Sequence, residues 1–302
     1  MSQFAVNASS SIATFTLAAR EPESNTLAIA TASNFLAVGS LVPWIHSQAG
    51  LIVSQSFANP NAAGAALESL QHGDSVQQAM QTFLSDDPIA KQRQVGILAL
   101  NGDCELYTGS DCIPAVESVQ GDNYFVLGNM LKPGTCEAIA QTFTHCRREG
   151  YDLGDAMLKA MVAGQQAGGD KRGKLAAALL MKRPNAGYLN SSDTFVDLRV
   201  DAHPRPLSQL RDLYSLFKLY NPQHFNFHMI KLEQLKAHQL QLFNEVIHAL
   251  AAGSKTVERP EEIAEVLHAH NLGANYDADN QRVSELFLQE AHALLRLLTT
   301  TV

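Results

Sequence analysis

Three short stretches, with one serine between them, carry side chains suited to covalent or acid–base chemistry. Thr14 heads the run Thr14-Phe15-Thr16-Leu17-Ala18-Ala19-Arg20, where Phe15, Leu17 and Ala19 alternate with Thr14, Thr16 and Ala18. That is the two-residue period of a half-buried strand. A hydroxyl that opens a core strand can act as a nucleophile once the chain is cut before it, because the freed α-amine can take its proton. The plain alternative is that threonine is simply a good strand residue. Ser33, near the end of the next strand, is placed to point at the same spot. Gly128-Asn129 leaves a later strand just before a helix. There the Asn129 amide and the Gly128 or Asn129 backbone N–H can donate to a developing oxyanion, or Asn129 can be an ordinary turn residue. Asp170, Lys171 and Arg172 lie in the loop Gly168-Gly169-Asp170-Lys171-Arg172-Gly173-Lys174. An Asp–Arg or Asp–Lys pair on such a loop can hold a carboxylate or orient an amine; otherwise it is a helix cap and a solvated turn.

The same loop fits G-x4-G-K, but it is not a phosphate loop. The next residue is Leu175, where a magnesium-binding Ser or Thr is needed, and the order is helix to strand instead of strand to helix. His224 and His228 are spaced i,i+4 and His268 and His270 flank one residue, yet no Cys or repeated carboxylate completes a metal set. No metal and no cofactor are expected. Cys104, Cys112, Cys136 and Cys146 show no CxxC spacing. Free thiols in a reducing, cytoplasmic location are the expectation.

The elements that must position these residues follow from periodicity and turn chemistry. Strands are expected over 14–20 and 26–34, joined by Glu21-Pro22-Glu23-Ser24-Asn25, and over 51–56. Asn59-Pro60 supplies an N-cap and an N1 proline for a helix reaching His72; Gly73 stops it and Asp74 caps the next, over 75–84. Strands over 94–100 and 104–108 are joined by Asn101-Gly102-Asp103, a strong hairpin signal, and another strand covers 124–127. Helices over 135–148 and 152–166 and strands over 175–181 and 194–200 complete this part. Strands in hairpins and helices in adjacent pairs suit two antiparallel sheets packed face to face, with a helix pair on each outer face. After His203-Pro204-Arg205-Pro206 only helical periodicity is visible, which predicts an all-helical C-terminal region over 207–302.

Composition sets the bounds. The chain has 302 residues, 46% hydrophobic, with a formal net charge of −8, enough for one large or two medium domains with a proper core. Residues 1–90 contain a single basic residue, Arg20, so phosphate neutralisation and hence nucleic-acid binding are disfavoured. No window spans a bilayer, so no membrane partner is expected. Residues 1–13, with Ser9-Ser10-Ser11, lack a basic start and an apolar segment and read as a leader, not a signal peptide.

In order along the chain, residues 13–20, 32–39 (Ala-Ser-Asn-Phe-Leu-Ala-Val-Gly), Val42-Pro43-Trp44, Gly128-Asn129-Met130-Leu131, 167–173 and Val196-Asp197-Leu198-Arg199-Val200-Asp201 resemble the hallmark segments of domain-of-unknown-function family 1028. The resemblance covers about residues 14–206. It implies the superfamily of N-terminal-nucleophile hydrolases, hence an α+β fold: a four-layer αββα sandwich with the helical region appended. Some relatives carry a C-terminal module labelled peptidoglycan-binding, and residues 207–302 stand where it would. The function implied is hydrolysis of an amide bond in a peptide or small acyl-amide; a homo-oligomer is compatible with it. Thr14 would be nucleophile and base, Asn129 and Gly128 would serve the oxyanion, and Ser33, Asp170, Lys171 and Arg172 would bind substrate. The sequence departs from the proteasome-like pattern: no lysine precedes Lys91, and Ile29-Ala30-Thr31-Ala32-Ser33 carries no carboxylate. The Asp170–Arg172 loop is therefore the expected charge partner for Thr14. The rival expectation is a non-catalytic ligand-binding or scaffold protein on the same fold, with residues 1–13 retained.

Overall fold

Alternation and a turn-forming segment make the first hairpin. In the computed structural model, which describes residues 14–251, 257 and 259–299, β1 (Thr14–Glu21) and β2 (Thr26–Ser33) pair antiparallel from Thr14↔Ser33 to Glu21↔Thr26. Asn25 closes their turn at φ 51°, a left-handed conformation that asparagine tolerates. The leader expected over residues 1–13 lies outside the described residues. The chain divides into two compact units, the first ending at Leu210 and the second beginning at Arg211. That boundary lies a few residues beyond the junction expected at 206.

In the first unit the order continues β3 (Pro43–His46), β4 (Gly50–Gln55), α1 (Pro60–Gln71), α2 (Val76–Leu84), β5 (Gln94–Ala99) and β6 (Cys104–Thr108). Then come β7 (Glu117–Gly121), β8 (Tyr124–Gly128), α3 (Thr135–Arg148), α4 (Leu153–Ala167), β9 (Ala176–Lys182) and β10 (Thr194–Val200). Two antiparallel sheets result: β10-β9-β2-β1-β8-β7 and β3-β4-β5-β6. Their facing sides share one apolar core, with Ala18, Leu27, Ile29 and Phe125 from the larger sheet and Leu51, Val53 and Leu98 from the smaller. Ile52, Val95 and Ile97 on the smaller sheet's other face pack under Ala63 and Ala66 of α1 and Ala79 and Phe83 of α2. Helices α3 and α4 lie on the larger sheet, against β1, β2, β7 and β8. Strands covered on both faces need apolar residues at nearly every position. β2 is accordingly buried along its whole length, and β9 at all but its last residue.

Several boundaries are as expected: Asn59 caps α1 with Pro60 at N1, and α3 spans Thr135–Arg148. Others are corrected. Ser75, not Asp74, caps α2, in a reciprocal pair with Gln78, while Asp74 accepts from Ser69 Oγ. β3 lies outside the strands expected from the sequence. It is a four-residue edge strand, and its leading proline is tolerated because an edge leaves N–H positions unpaired. β7 is also an edge strand; its sequence Glu-Ser-Val-Gln-Gly has one apolar residue and so no alternation to detect.

Helix α5 (Pro206–Tyr220) contains the boundary between the units. The second unit adds β11 (Met229–Lys231), α6 (Ala237–Leu250), α7 (Pro260–Ala269), β12 (Tyr276–Asp277), β13 (Arg282–Ser284) and α8 (Glu285–Thr299). Phe243, Val246 and Ile247 of α6, Leu267 of α7, and Phe287, Ala291 and Leu294 of α8 build its core. The all-helical expectation for this region is corrected, since β11, β13 and β12 form a small antiparallel sheet. Strands of two or three residues are shorter than the four to eight over which alternation can register. Among the described residues, no helix is long and apolar enough to cross a membrane.

Between the two sheets, a Cβ on Gly96 of β5 would overlap the Phe125 ring and press on Leu127 of β8. Gly96→Ala should therefore destabilise the first unit by about 1–3 kcal/mol, the usual cost of overpacking. Urea unfolding checks this, and an unchanged midpoint would show that the sheets part to accept a methyl group.

Candidate functional site

Thr14 is the first residue of an interior strand, and both its neighbours are polar. Ser33 is its cross-strand partner on β2. On the β8 side the Asn129 N–H donates to the Thr14 carbonyl at 3.1 Å, one step beyond the Phe15↔Gly128 pair. The direction of the face follows from Thr16, two residues along. Its Oγ1 donates to Gln55 Oε1 at 2.7 Å, and Gln55 belongs to the other sheet. Side chains two apart on a strand share a face, so Thr14 points between the sheets.

A continuous polar seam runs through this interface. Thr31 and Thr16 share a hydrogen bond at 2.9 Å. Gln55 Nε2 donates to Gln94 Oε1 at 2.8 Å, and Asn129 Nδ2 donates to the same oxygen at 3.1 Å. Gln94 Nε2 in turn donates to the Gly128 carbonyl at 3.1 Å. Thr14, Thr16, Thr31, Gln55, Gln94 and Asn129 all have 0% exposure, so these groups depend on one another for hydrogen bonds. The one atom left over is Asn129 Oδ1, buried and without a hydrogen-bond partner. Asn129 Nδ2 gives one of its two N–H groups to Gln94, so the atom of this amide with no partner at all is the acceptor Oδ1. Gly128 is enclosed in the ladder, paired with Phe15 on one side and Glu117 on the other.

The glycine loop reaches the same end of the larger sheet. Gly168, Gly169 and Gly173 adopt φ of 139°, 59° and 121°, conformations that favour glycine. The segment leaving β8 holds the loop: Lys171 N–H donates to the Met130 carbonyl, Lys132 N–H to the Gly169 carbonyl, and Leu131 bridges Asp170. Asp170 fastens the loop to β2. Its carboxylate accepts the Asn34 N–H at 3.0 Å, the Arg172 N–H at 2.8 Å and the Arg172 guanidinium at 2.9 Å. The expected partnership of Asp170 with Thr14 is corrected accordingly: its oxygens serve the loop and Arg172.

A cavity of about 280 Å³ lies beside this loop. Ser33, Asp170, Lys171 and Arg172 line it with Phe15 and Lys132, whereas Thr14 and Asn129 are not among its lining residues. The predicted residues therefore converge on one end of the sheet but divide between the buried seam and the cavity. Sequence reasoning missed Gln55 and Gln94. The alternation Leu51, Val53, Gln55 does put a glutamine on the inward face, but nothing local shows that Gln94 meets it. The cysteines are free, and burial pushes the Cys104 thiol up to about 12, with Glu105 adding to it. Burial likewise raises Cys112, Cys136 and Cys146, so none is a thiolate nucleophile at neutral pH. Among the described residues, no three His, Cys, Asp or Glu side chains are grouped to hold a metal ion.

Comparison with known proteins places these features in context. Residues 14–210 match the model of one protein family, described as a family of unknown function, DUF1028. A crystal structure of a Silicibacter pomeroyi protein labelled with the same family aligns over 68% of this chain and 86% of that one, with 27% identity and a TM-score of 0.61. The Anbu (ancestral beta-subunit) of Yersinia bercovieri aligns over 70% of this chain and 98% of that one, with 12% identity and a TM-score of 0.32. No curated protein matches the chain.

Gln94→Leu should test the seam. It leaves donors on Gln55 and Asn129 and the Gly128 carbonyl unpaired in a dry interface, at about 1–3 kcal/mol each. A loss of about 3 kcal/mol or more is expected in urea unfolding. A change below about 0.5 kcal/mol, the range of neutral surface substitutions, would show that these groups find other partners.

Proposed function

This chain belongs to the DUF1028 family, and we propose that it is an amide hydrolase of the N-terminal-nucleophile type, acting on a peptide or small acyl-amide. The observation that carries this reading is the position of Thr14. It opens an interior strand, faces the space between two sheets, and stands between Ser33 and Asn129. The order of packing supports the fold half of the proposal: α1 and α2, the smaller sheet, the larger sheet, then α3 and α4 read as an αββα sandwich.

The chemistry requires the Ala13–Thr14 peptide bond to be broken, since an amide nitrogen is no base. The α-amine of Thr14 would then take the Oγ1 proton as Oγ1 attacks the substrate carbonyl carbon. The substrate C–N bond breaks, the leaving amine takes that proton, and an ester to Thr14 remains. Water, deprotonated by the same amine, attacks the ester carbonyl; the C–Oγ1 bond breaks, Oγ1 takes that proton back from the amine, and the acid is released. The seam side chains Thr16, Thr31, Gln55, Gln94 and Asn129 are all neutral, which leaves the α-amine as the base among them. Asn129 Oδ1 is an acceptor suited to the ammonium form, and a hydrogen bond to the charged form raises the basicity of the amine. One observation favours the rival reading, a ligand-binding protein that keeps residues 1–13: the cavity is lined by Ser33 but not by Thr14.

Intact-mass measurement of purified protein should show loss of residues 1–13, and Thr14→Ala should remain full length. Assayed on a panel of dipeptides and N-acyl amino-acid amides, the variant should lose on the order of 10³-fold or more in rate, as removal of a nucleophile does. A persistent full-length mass, with hydrolysis indifferent to Thr14→Ala, would leave the binding protein as the better account.

A further inference from the structure

The cavity lining carries an excess of positive charge in an acidic protein. The chain as a whole has a net charge of −8, yet Lys132, Lys171, Arg172 and Lys174 line this one space and Asp170 is its only acid. Asp170 and Arg172 pair with each other, at 2.9 Å. Among the described residues, Lys132, Lys171 and Lys174 form no ion pair, so three exposed lysines line the cavity without an acidic partner. A cavity edged by one sign of charge raises the local concentration of the opposite ion, so an anion is the ligand class it favours.

The arrangement is built, not incidental. A Cβ on Gly168 would meet the Cβ, Cγ and Cδ of Lys132 at 2.6–3.0 Å, so the bare glycine makes room for the lysine stem that lies across it. Backbone hydrogen bonds clamp the Lys132 segment to the loop bearing Lys171 and Lys174. The rest of the lining includes Phe15, Ala32, Ala176 and Pro206, an apolar surface next to the cations.

We propose that this cavity binds the carboxylate of a small organic acid, with the ammonium groups of Lys132, Lys171 and Lys174 on the carboxylate and a short apolar body against Phe15. Combined with the amide-hydrolase reading, on which this part alone rests, it makes the substrate an acyl-amide bearing a free carboxylate. Phosphate is the poorer fit. Phosphate-binding loops present backbone N–H groups and favour bidentate arginine. Here the N–H groups of Gly168, Gly169, Lys171, Arg172 and Gly173 all donate to acceptors within the protein, and the arginine is held by Asp170. Three lysine point charges remain, which attract either anion, and the apolar lining beside them favours the anion that carries a hydrocarbon body.

The test uses full-length Thr14→Ala protein, so that binding is read without turnover. N-acetylalaninate, its neutral counterpart N-acetylalaninamide, and inorganic phosphate are titrated at low ionic strength while backbone amide NMR shifts are followed. The acid should shift Lys171 and Gly173 saturably and leave Gly64, on α1, unmoved. Lys171→Gln combined with Lys174→Gln, both at exposed positions, should weaken it at least about tenfold while the thermal midpoint holds. Equal binding of acid and amide, or indifference to the double variant, would overturn the proposal; tighter binding of phosphate would overturn the choice of carboxylate. If the acid binds but residues 1–13 are never removed, only the hydrolase reading falls. If Thr14-dependent hydrolysis occurs without acid binding at the loop, only the anion site falls.

Discussion

Two sheets that share an apolar core have no preferred register until something directional joins them, because hydrophobic attraction does not depend on angle. Here the Gln94 amide supplies the direction. Its Oε1 accepts from Gln55 Nε2 and Asn129 Nδ2, and its Nε2 donates to the Gly128 carbonyl. One side chain on β5 thus ties the end of β4, the end of β8 and, through Gln55, Thr16 on β1. In a dry interface such a network is either fully matched or strongly destabilising. Thr14, Ser33 and Asn129 are set in one row by the ladder of the larger sheet, and the network joins that row to the smaller sheet.

A second lock works by charge instead of amides. Asp170 is buried, and an isolated buried carboxylate is costly. It is stabilised by two backbone N–H groups and a guanidinium, and in accepting them it fixes a loop of three left-handed glycines against the end of β2. The consequence reaches the cavity. With Arg172 neutralised, the loop keeps its shape without an anion, so the lysines around it are held ready and are not drawn together by a ligand.

Much of this was legible in the residues. Alternation and the turn at 21–25 bring Ser33, near the end of the second strand, to the same region as Thr14, and the pairing makes them direct partners. Asn59-Pro60 and Asn101-Gly102-Asp103 read directly as a helix start and a hairpin. What was not legible has physical reasons. β3 and β7 are edge strands with weak or no alternation, and β11, β12 and β13 are too short to show any. The meeting of Gln55 with Gln94 depends on the pairing of β4 with β5 across two intervening helices. The acceptor polarity of Asn129 depends on that meeting in turn, so no local pattern could have revealed it.

That polarity constrains whatever chemistry the site performs. An amide has one acceptor and one donor end, and the direction of each bond in a chain of amides is set by its neighbour. Gln94 Nε2 faces the Gly128 carbonyl, which can only accept, so Gln94 Oε1 must be the end that faces Gln55 and Asn129. Asn129 must then turn Nδ2 towards Gln94 and Oδ1 away. The unsatisfied end of the Asn129 amide is therefore an acceptor, fixed by a main-chain carbonyl several bonds distant. Oδ1 can hold an ammonium or an amide N–H, and the second N–H of Nδ2 is the part of the side chain that can face an oxyanion. The two ends of one amide thus divide between them the roles that a catalytic scheme can give Asn129.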